Sequence, residues 1–457
     1  MMIRTRFLSL MGVLALVASG CNASATTPTP NTTTGSTTAG STPAPSVAAP
    51  TTVAAPVTIK FWTWFPPLES TQKMIAQFEK ENPNITVELT ELESTAYQAK
   101  LPLTLAGSEK VDLVAVQTSA MVDQIKGNLQ PLTPLLNQYL GPDWAKQVNP
   151  KAIEQAKKLA SDGQQYIMPL GTLGSAVGYY NAEIFKKYNL TVPTTAAEFK
   201  DFAAKLKAAD PKIVPVVFPA DPWFQDELVL TIVGQTKPNF FNDIRYGSGR
   251  WDDPAYIQAL KDYKKLFDDG VLSKDNLDIL YNRSIELFYT GQAAIMFNGT
   301  WEAGVISQPF RTEKAIKLTD VGVMPLPVLE NGGTASLRSF IEIGLAVPKS
   351  AEHPAEAMKL LQFLVLGNGV DVWGPMLIEV PSRLDYTLPA AVLTTDAAKS
   401  GYDTLVKLLA NPASDRNNVS AFSTVAGNGI IQVVNGTDPA QVAANLQKEW
   451  DSGRYAK

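Results

Sequence analysis

From Val57 to Phe65 the chain reads VTIKFWTWF, with apolar and polar positions alternating at a period of two, which predicts a half-buried strand. Pro66 and Pro67 break it, and LESTQKMIAQFEKENP then carries its apolar residues at helical spacing until Pro83 stops it. ITVELTE predicts a second strand, a helix-compatible stretch begins at Thr95, and VDLVAVQTS predicts a short buried strand running into a helix from Ser119. This β-α-β-α order is that of an α/β lobe built on a largely parallel sheet.

The middle of the chain predicts another such lobe. QQYIMPLGTLGSAVGYYN holds strand-like runs interrupted by Pro169, Gly171 and Gly174, a place for the chain to cross over. Helices follow, most clearly DDPAYIQALKDYKKLFDDG, where Asp253 caps, Pro254 suits the first turn and Gly270 ends the element. Ile257, Leu260, Tyr263 and Phe267 share one face of it. Met296 and Phe297 finish a short buried strand, Asn298 and Gly299 make a turn, and Thr300 is the expected N-cap of a helix beginning at Trp301.

The first residues have a different pattern. Arg4 and Arg6 precede an apolar stretch from Phe7 to Ala18, so residues 1–20 are expected to be a secretory signal. The end of this stretch resembles a bacterial lipobox, with Ser19 and Gly20 in the small positions, although Ala18 stands where leucine is usual. That resemblance implies that Cys21 is lipidated, an anchor to the outer face of the cytoplasmic membrane; plain cleavage with a free cysteine is the alternative. No charged residue occurs between Arg6 and Lys60, and the Thr, Ser, Pro and Ala of residues 21–56 offer little apolar surface to offset ordering entropy. A disordered tether is expected there. No later segment is an uninterrupted apolar span of transmembrane length.

Composition narrows the chemistry. At 457 residues the chain exceeds what one core usually organises, so two lobes are expected. A net charge of −5, from 39 basic and 44 acidic residues, provides no basic field for nucleic acid. One histidine and one cysteine leave no material for a His-containing triad, a His/Cys zinc site or an intrachain disulfide, and no metal or cofactor is expected. His353 reads as a surface residue at a helix N-terminus.

In open α/β sheets ligands bind beyond the carboxyl ends of the strands. Trp301 follows one such end, Trp62 and Trp64 another, and Gln117 and Thr118 a third, so a convergent site is expected. Trp62 and Trp64 are read as lying on alternate faces, so that only one reaches ligand. Trp223, in FPADPWFQDE, is either cleft wall or core. Thr172 and Asn298 are further hydrogen-bonding candidates, with turn and cap roles as the alternative.

Seven segments in order, VTIKFWTWF, FEKENPNITVEL, KVDLVAVQT, GQQYIMPLGTLGSAVGYYNAEIFKKYNL with VPTTAAEFKDFAAKL, LFYTGQAAIMFNGTW, VGVMPLPV and IGLAVPKSAEHPAEAMKLLQFL, carry a family resemblance. Positions 57 to about 385 resemble extracellular solute-binding proteins of family 1, the maltose-binding-protein-like receptors that deliver carbohydrates to ABC importers. The resemblance implies a two-lobed, type II periplasmic-binding-protein-like α/β fold, monomeric, working with permease subunits and an ATPase. It places lobe 1 at 57–168 plus about 344–372 and lobe 2 at about 169–343 plus 373–457. Crossovers are expected near Met168 to Gly171, Phe340 to Ile343 and Gly369 to Pro375.

In that family the position matching Trp301 commonly stacks on a sugar ring, whose C–H face packs on an aromatic plane while its hydroxyls need hydrogen bonds. Arg338 and Glu342 straddle the second crossover, and Arg383 in EVPSRLDY is similar to the family's late G-x-x-P-x-R segment. Arginines in the cleft would favour an acidic sugar; the alternative is that they pair with nearby acids. A polyamine, metal ion or peptide cargo is the rival within the fold. The rival class is a glycosidase, which needs only two carboxylates roughly 5 to 9.5 Å apart, for which Glu91, Glu93, Asp252, Asp253, Asp268 and Asp269 are available.

Overall fold

The alternating segment at the start of the body forms strand β1 (Val57–Thr63), with β2 (Ile85–Glu91) and β3 (Leu113–Gln117) parallel to it on either side. The structure is a computed structural model, and it describes residues 55–455 apart from 67, 119, 331 and 411–419. The expected signal, Cys21 and nearly all of the tether lie outside the described residues.

Strand β11 (Ile343–Ala346) joins β3 antiparallel, and β4 (Met168–Pro169) completes a five-stranded sheet in the order β2-β1-β3-β11-β4. Side chains alternate across it. Ile59, Phe61, Leu113, Ala115 and Leu345 pack on one face with Phe78, Leu361 and Trp373, while Trp62, Val114 and Val116 pack on the other with Tyr97 and Leu101.

The second sheet runs β7-β8-β6-β9, formed by β6 (Val177–Asn181), β7 (Val214–Val217), β8 (Ala293–Asn298) and β9 (Val321–Met324). Here the expectation of a largely parallel sheet fails: β6 is antiparallel to both β8 and β9, and only β7 and β8 are parallel. The run Ala293–Phe297 of β8 is buried and apolar without alternation, and such a run reads alike in either direction. Phe199, Phe224 and Trp251 pack on one face of this sheet, Phe288, Leu405 and Leu409 on the other. The helix Pro254–Asp268 is capped as expected, Asp253 accepting from Ala255 N at 2.8 Å and Gly270 adopting a positive φ of +72° just beyond its end.

A three-stranded sheet connects the two. Its order is β10 (Arg338–Phe340), β5 (Gly171–Ser175) and β12 (Val380–Pro381), antiparallel throughout. The chain runs from β4 through β5 into β6, returns from β9 through β10 into β11, and passes again through β12 before the helix Asp396–Ala410 packs on the second sheet. Residues Gly369–Trp373 are helical and bury Val370 and Trp373 in the first core, so the strand beside β5 lies farther along than Pro375. Among the described residues no helix is long and apolar enough to cross a membrane.

Candidate functional site

Strand β8 delivers Trp301 through a close approach. A Cβ at Gly299 would fall 2.3 Å from the Trp301 ring, so the indole lies directly over residue 299 and only glycine leaves it room. The element after the turn is a 3-10 helix, Thr300–Ile306, with Gly299 at its N-cap and no side-chain cap. Thr300 is therefore not the expected cap: its hydroxyl accepts from Gly174 N at 3.0 Å, tying the turn to β5. Asn298 is fully buried and its Oδ1 accepts from Gly299 N at 2.8 Å, so its side-chain oxygen closes the turn.

The half-buried indole is held at its edge. Trp301 Nε1 donates to Tyr281 Oη at 2.9 Å, and Tyr281 Oη donates to Glu302 Oε1 at 2.8 Å. Tyr289 Oη donates to Glu302 Oε2 at 2.8 Å, and Tyr281 N donates to Asp221 Oδ2 at 2.8 Å. Burial, reinforced by the Glu302 charge, pushes both phenols above their ordinary range, so they stay protonated as donors. Trp223, half-buried, sits 6.1 Å from Trp301 and 6.0 Å from Tyr281, its ring tilted 45° and 42° to theirs. Chemically this is an aromatic plate whose plane is fixed before any ligand arrives.

A second group gathers where the first and connecting sheets meet. Gln117 Nε2 donates to Glu342 Oε1 at 2.6 Å, Thr118 N donates to Glu342 O at 2.9 Å, and the Thr118 hydroxyl donates to Ile341 O. Thr172, buried, pairs with Val380 across β5 and β12. Beside it lies Glu379, 2 % exposed, against Gly171. The Gly174–Thr300 bond links this group to the aromatic plate.

Other candidates lie elsewhere. Trp62 is core: it is 2 % exposed, with Lys100 Nζ 4.7 Å over its ring. The reading that Trp62 and Trp64 alternate faces is also wrong, since residues two apart share a face. Trp64 lies just beyond the end of β1, half-buried and 5.0 Å from Tyr97. Arg338 is fully buried in an ion pair with Glu227, and Arg383 binds the carbonyl of Gly367 at 3.0 Å and the carboxylates of Asp371 and Asp385 at 3.1 Å. Both arginines thus take the alternative reading, pairing with acids of the protein. Of the carboxylates weighed for hydrolysis, Asp252 pairs with Arg250, Asp253 with Lys237, Asp268 with Lys264 and Asp269 with Lys200.

Sequence reasoning missed Tyr281, Tyr289, Glu302 and Glu379. Glu302 follows Trp301 directly, and the two tyrosines sit about two turns apart on the helix Tyr281–Tyr289, but nothing local says that they meet.

The sequence profile of the bacterial extracellular solute-binding proteins matches residues 64–366. An uncharacterised ABC transporter extracellular-binding protein of Pyrococcus horikoshii is 24% identical over 77% of this chain and 75% of its own. A multiple sugar-binding protein of Streptococcus mutans is 22% identical over 74% and 79%. Among solved structures, maltose-bound MalE3 of T. maritima superposes with a TM-score of 0.66 at 20% identity, covering 87% of this chain and 99% of that one. The sugar-binding protein MalE of Xanthomonas citri gives 0.67 at 19% identity, covering 86% and 96%. These structures share the mixed α/β fold of periplasmic binding proteins. With that fold and a match over most of its described body, the chain belongs to the bacterial extracellular solute-binding protein family, whose members bind solutes and are not enzymes.

Proposed function

We propose that this protein is the extracellular receptor of an ABC importer and that its cargo is a carbohydrate. The observation that carries the reading is the half-buried Trp301 plate, fixed by Tyr281 and flanked by Trp223 at the carboxyl end of β8. A pyranose presents C–H groups on one face, which pack on such a plane, and rim hydroxyls, which need polar partners such as those grouped at Gln117, Thr118, Glu342 and Thr172. The names of the S. mutans and T. maritima proteins, which refer to sugars, support this cargo over a polyamine, metal ion or peptide.

The mechanism is a population shift between two lobes, residues 57–168 plus about 344–372 and about 169–343 plus 373–457, joined by the connecting sheet. A ligand that touches both lobes only when they are closed favours that state, which the permease subunits then recognise. The receptor acts as a monomer, exported by residues 1–20 and held to the membrane by lipid on Cys21 through the tether.

A thermal-shift screen against sugars, sugar acids, polyamines and peptides tests the reading. Ligand at 100 times its Kd stabilises the folded state by about 2.7 kcal/mol. A sugar hit lost in Trp301→Ala supports it, and a polyamine or peptide hit with no sugar response overturns the cargo.

A further inference from the structure

Glu379 stands immediately before β12, in the connecting sheet that the chain crosses between its two larger sheets. It is 2 % exposed, and neither carboxylate oxygen has a hydrogen-bond partner among the described residues. On β5 Gly171 lies against it, where a Cβ would fall 2.7 Å from Glu379 Oε2. From the link between β10 and β11 the facing group is Glu342, a second carboxylate. Nearby cations are committed elsewhere: Arg383 to the carbonyls of Leu366 and Gly367 and to Asp371 and Asp385, and Arg338 on β10 to Glu227. The Tyr386 phenol, on the same segment, packs at Gly374.

A charged carboxylate buried without a donor and beside another carboxylate is strongly disfavoured, so the arrangement is one that a neutral carboxyl adopts. We propose that Glu379 is a proton-binding site of the connecting sheet: with its proton bound β12 seats against β5, and loss of that proton releases β12 toward water. Strand β12 is short, with two residues in register on β5 and flanking bonds from Ser382 N to Leu170 O at 3.1 Å, from Asn149 N to Ser382 O at 2.8 Å and from Leu384 N to Gln147 O at 2.9 Å. Because this strand lies on a path between the two larger sheets, its release alters their connection as pH rises.

Burial first, and the Glu342 charge second, push the Glu379 carboxyl well above the ordinary carboxylate range. Folded Glu379 therefore holds its proton more tightly than unfolded Glu379. Its contribution to stability is intact below the unfolded value and is lost as pH rises through the folded one.

The test is hydrogen–deuterium exchange of the full chain at residues 379–382, corrected for intrinsic base catalysis, with thermal unfolding, both from about pH 5 to pH 9. The wild type should lose protection and Tm as pH rises, Glu379→Gln should flatten both profiles, and Glu342→Gln should move the wild-type transition to lower pH. Parallel wild-type and Glu379→Gln profiles would overturn the proposal. Should Glu379→Gln fail to fold, the Glu342→Gln shift decides alone: an unmoved transition overturns the proposal. A packing role would move Tm equally at every pH, which separates the two.

Discussion

The Trp301 indole donates to the Tyr281 phenol at 2.9 Å, and the same phenol donates to Glu302, the residue next to Trp301 in the chain. The plate and its brace therefore close a ring in which Tyr281 is the member that bonds to both others. Tyr281→Phe keeps the ring and deletes the hydroxyl. It is expected to weaken sugar binding by about 1 kcal/mol, ~5-fold, since the indole loses its acceptor. Trp301→Ala deletes the stacking plane and is expected to cost about 2 kcal/mol or more, ~30-fold. Calorimetric titration with the sugar found by screening checks both, and equal losses in the two variants would contradict the bracing role.

Much of the scaffold was legible because it depends on local pattern. The alternation at Val57–Thr63, the Asp253 cap and the strand before Asn298 each follow from spacing within a few residues. The brace was not, because Tyr281 and Trp301 are 20 positions apart and meet only through the second sheet's packing. Arg338 and Glu227 are 111 positions apart, so an arginine beside a crossover looked available when it was already paired. Both faces of β1 meet helices, Phe61 against Phe78 and Trp62 against Tyr97 and Leu101, and so Trp62 could not be told from a ligand residue by its strand-end position.

Trp62→Ala separates core from site. With the ring buried beneath Lys100 and among Tyr97 and Leu101, truncation is expected to destabilise by about 3–5 kcal/mol. Sugar affinity of the folded fraction should be near wild type. Denaturant unfolding beside calorimetry checks this, and a large affinity loss with unchanged stability would return Trp62 to the site.

Gly427 couples packing to the plate. It lies in the helix Ser420–Val434, where an added Cβ would fall 1.8 Å from Pro222 O, the first residue of the helix that carries Trp223. Gly427→Ala must push these helices apart, a strain of about 1–3 kcal/mol. Because Trp223 sits one residue beyond Pro222, the displacement should also weaken sugar binding. A lowered Tm with unchanged affinity would show that Trp223 is not part of the plate.

The Arg338–Glu227 pair bears on which sugars the proposed receptor would take. Both side chains are buried, Ser175 adds a hydroxyl donor to Glu227, and the Arg338 guanidinium lies 5.6 Å over the Phe241 ring. A guanidinium so engaged cannot meet a ligand carboxylate without stranding Glu227, so a sugar acid should bind no better than its neutral parent. Arg338→Met leaves Glu227 as an uncompensated buried charge and should destabilise by about 3–5 kcal/mol, whereas Arg338→Met with Glu227→Leu removes both charges and should recover most of that loss. Urea unfolding of the single and double variants, with paired titrations of galactose and galacturonate, checks both parts. Preferential galacturonate binding that Arg338→Met abolishes without loss of stability would place the guanidinium in the cleft and overturn its assignment as a structural partner of Glu227.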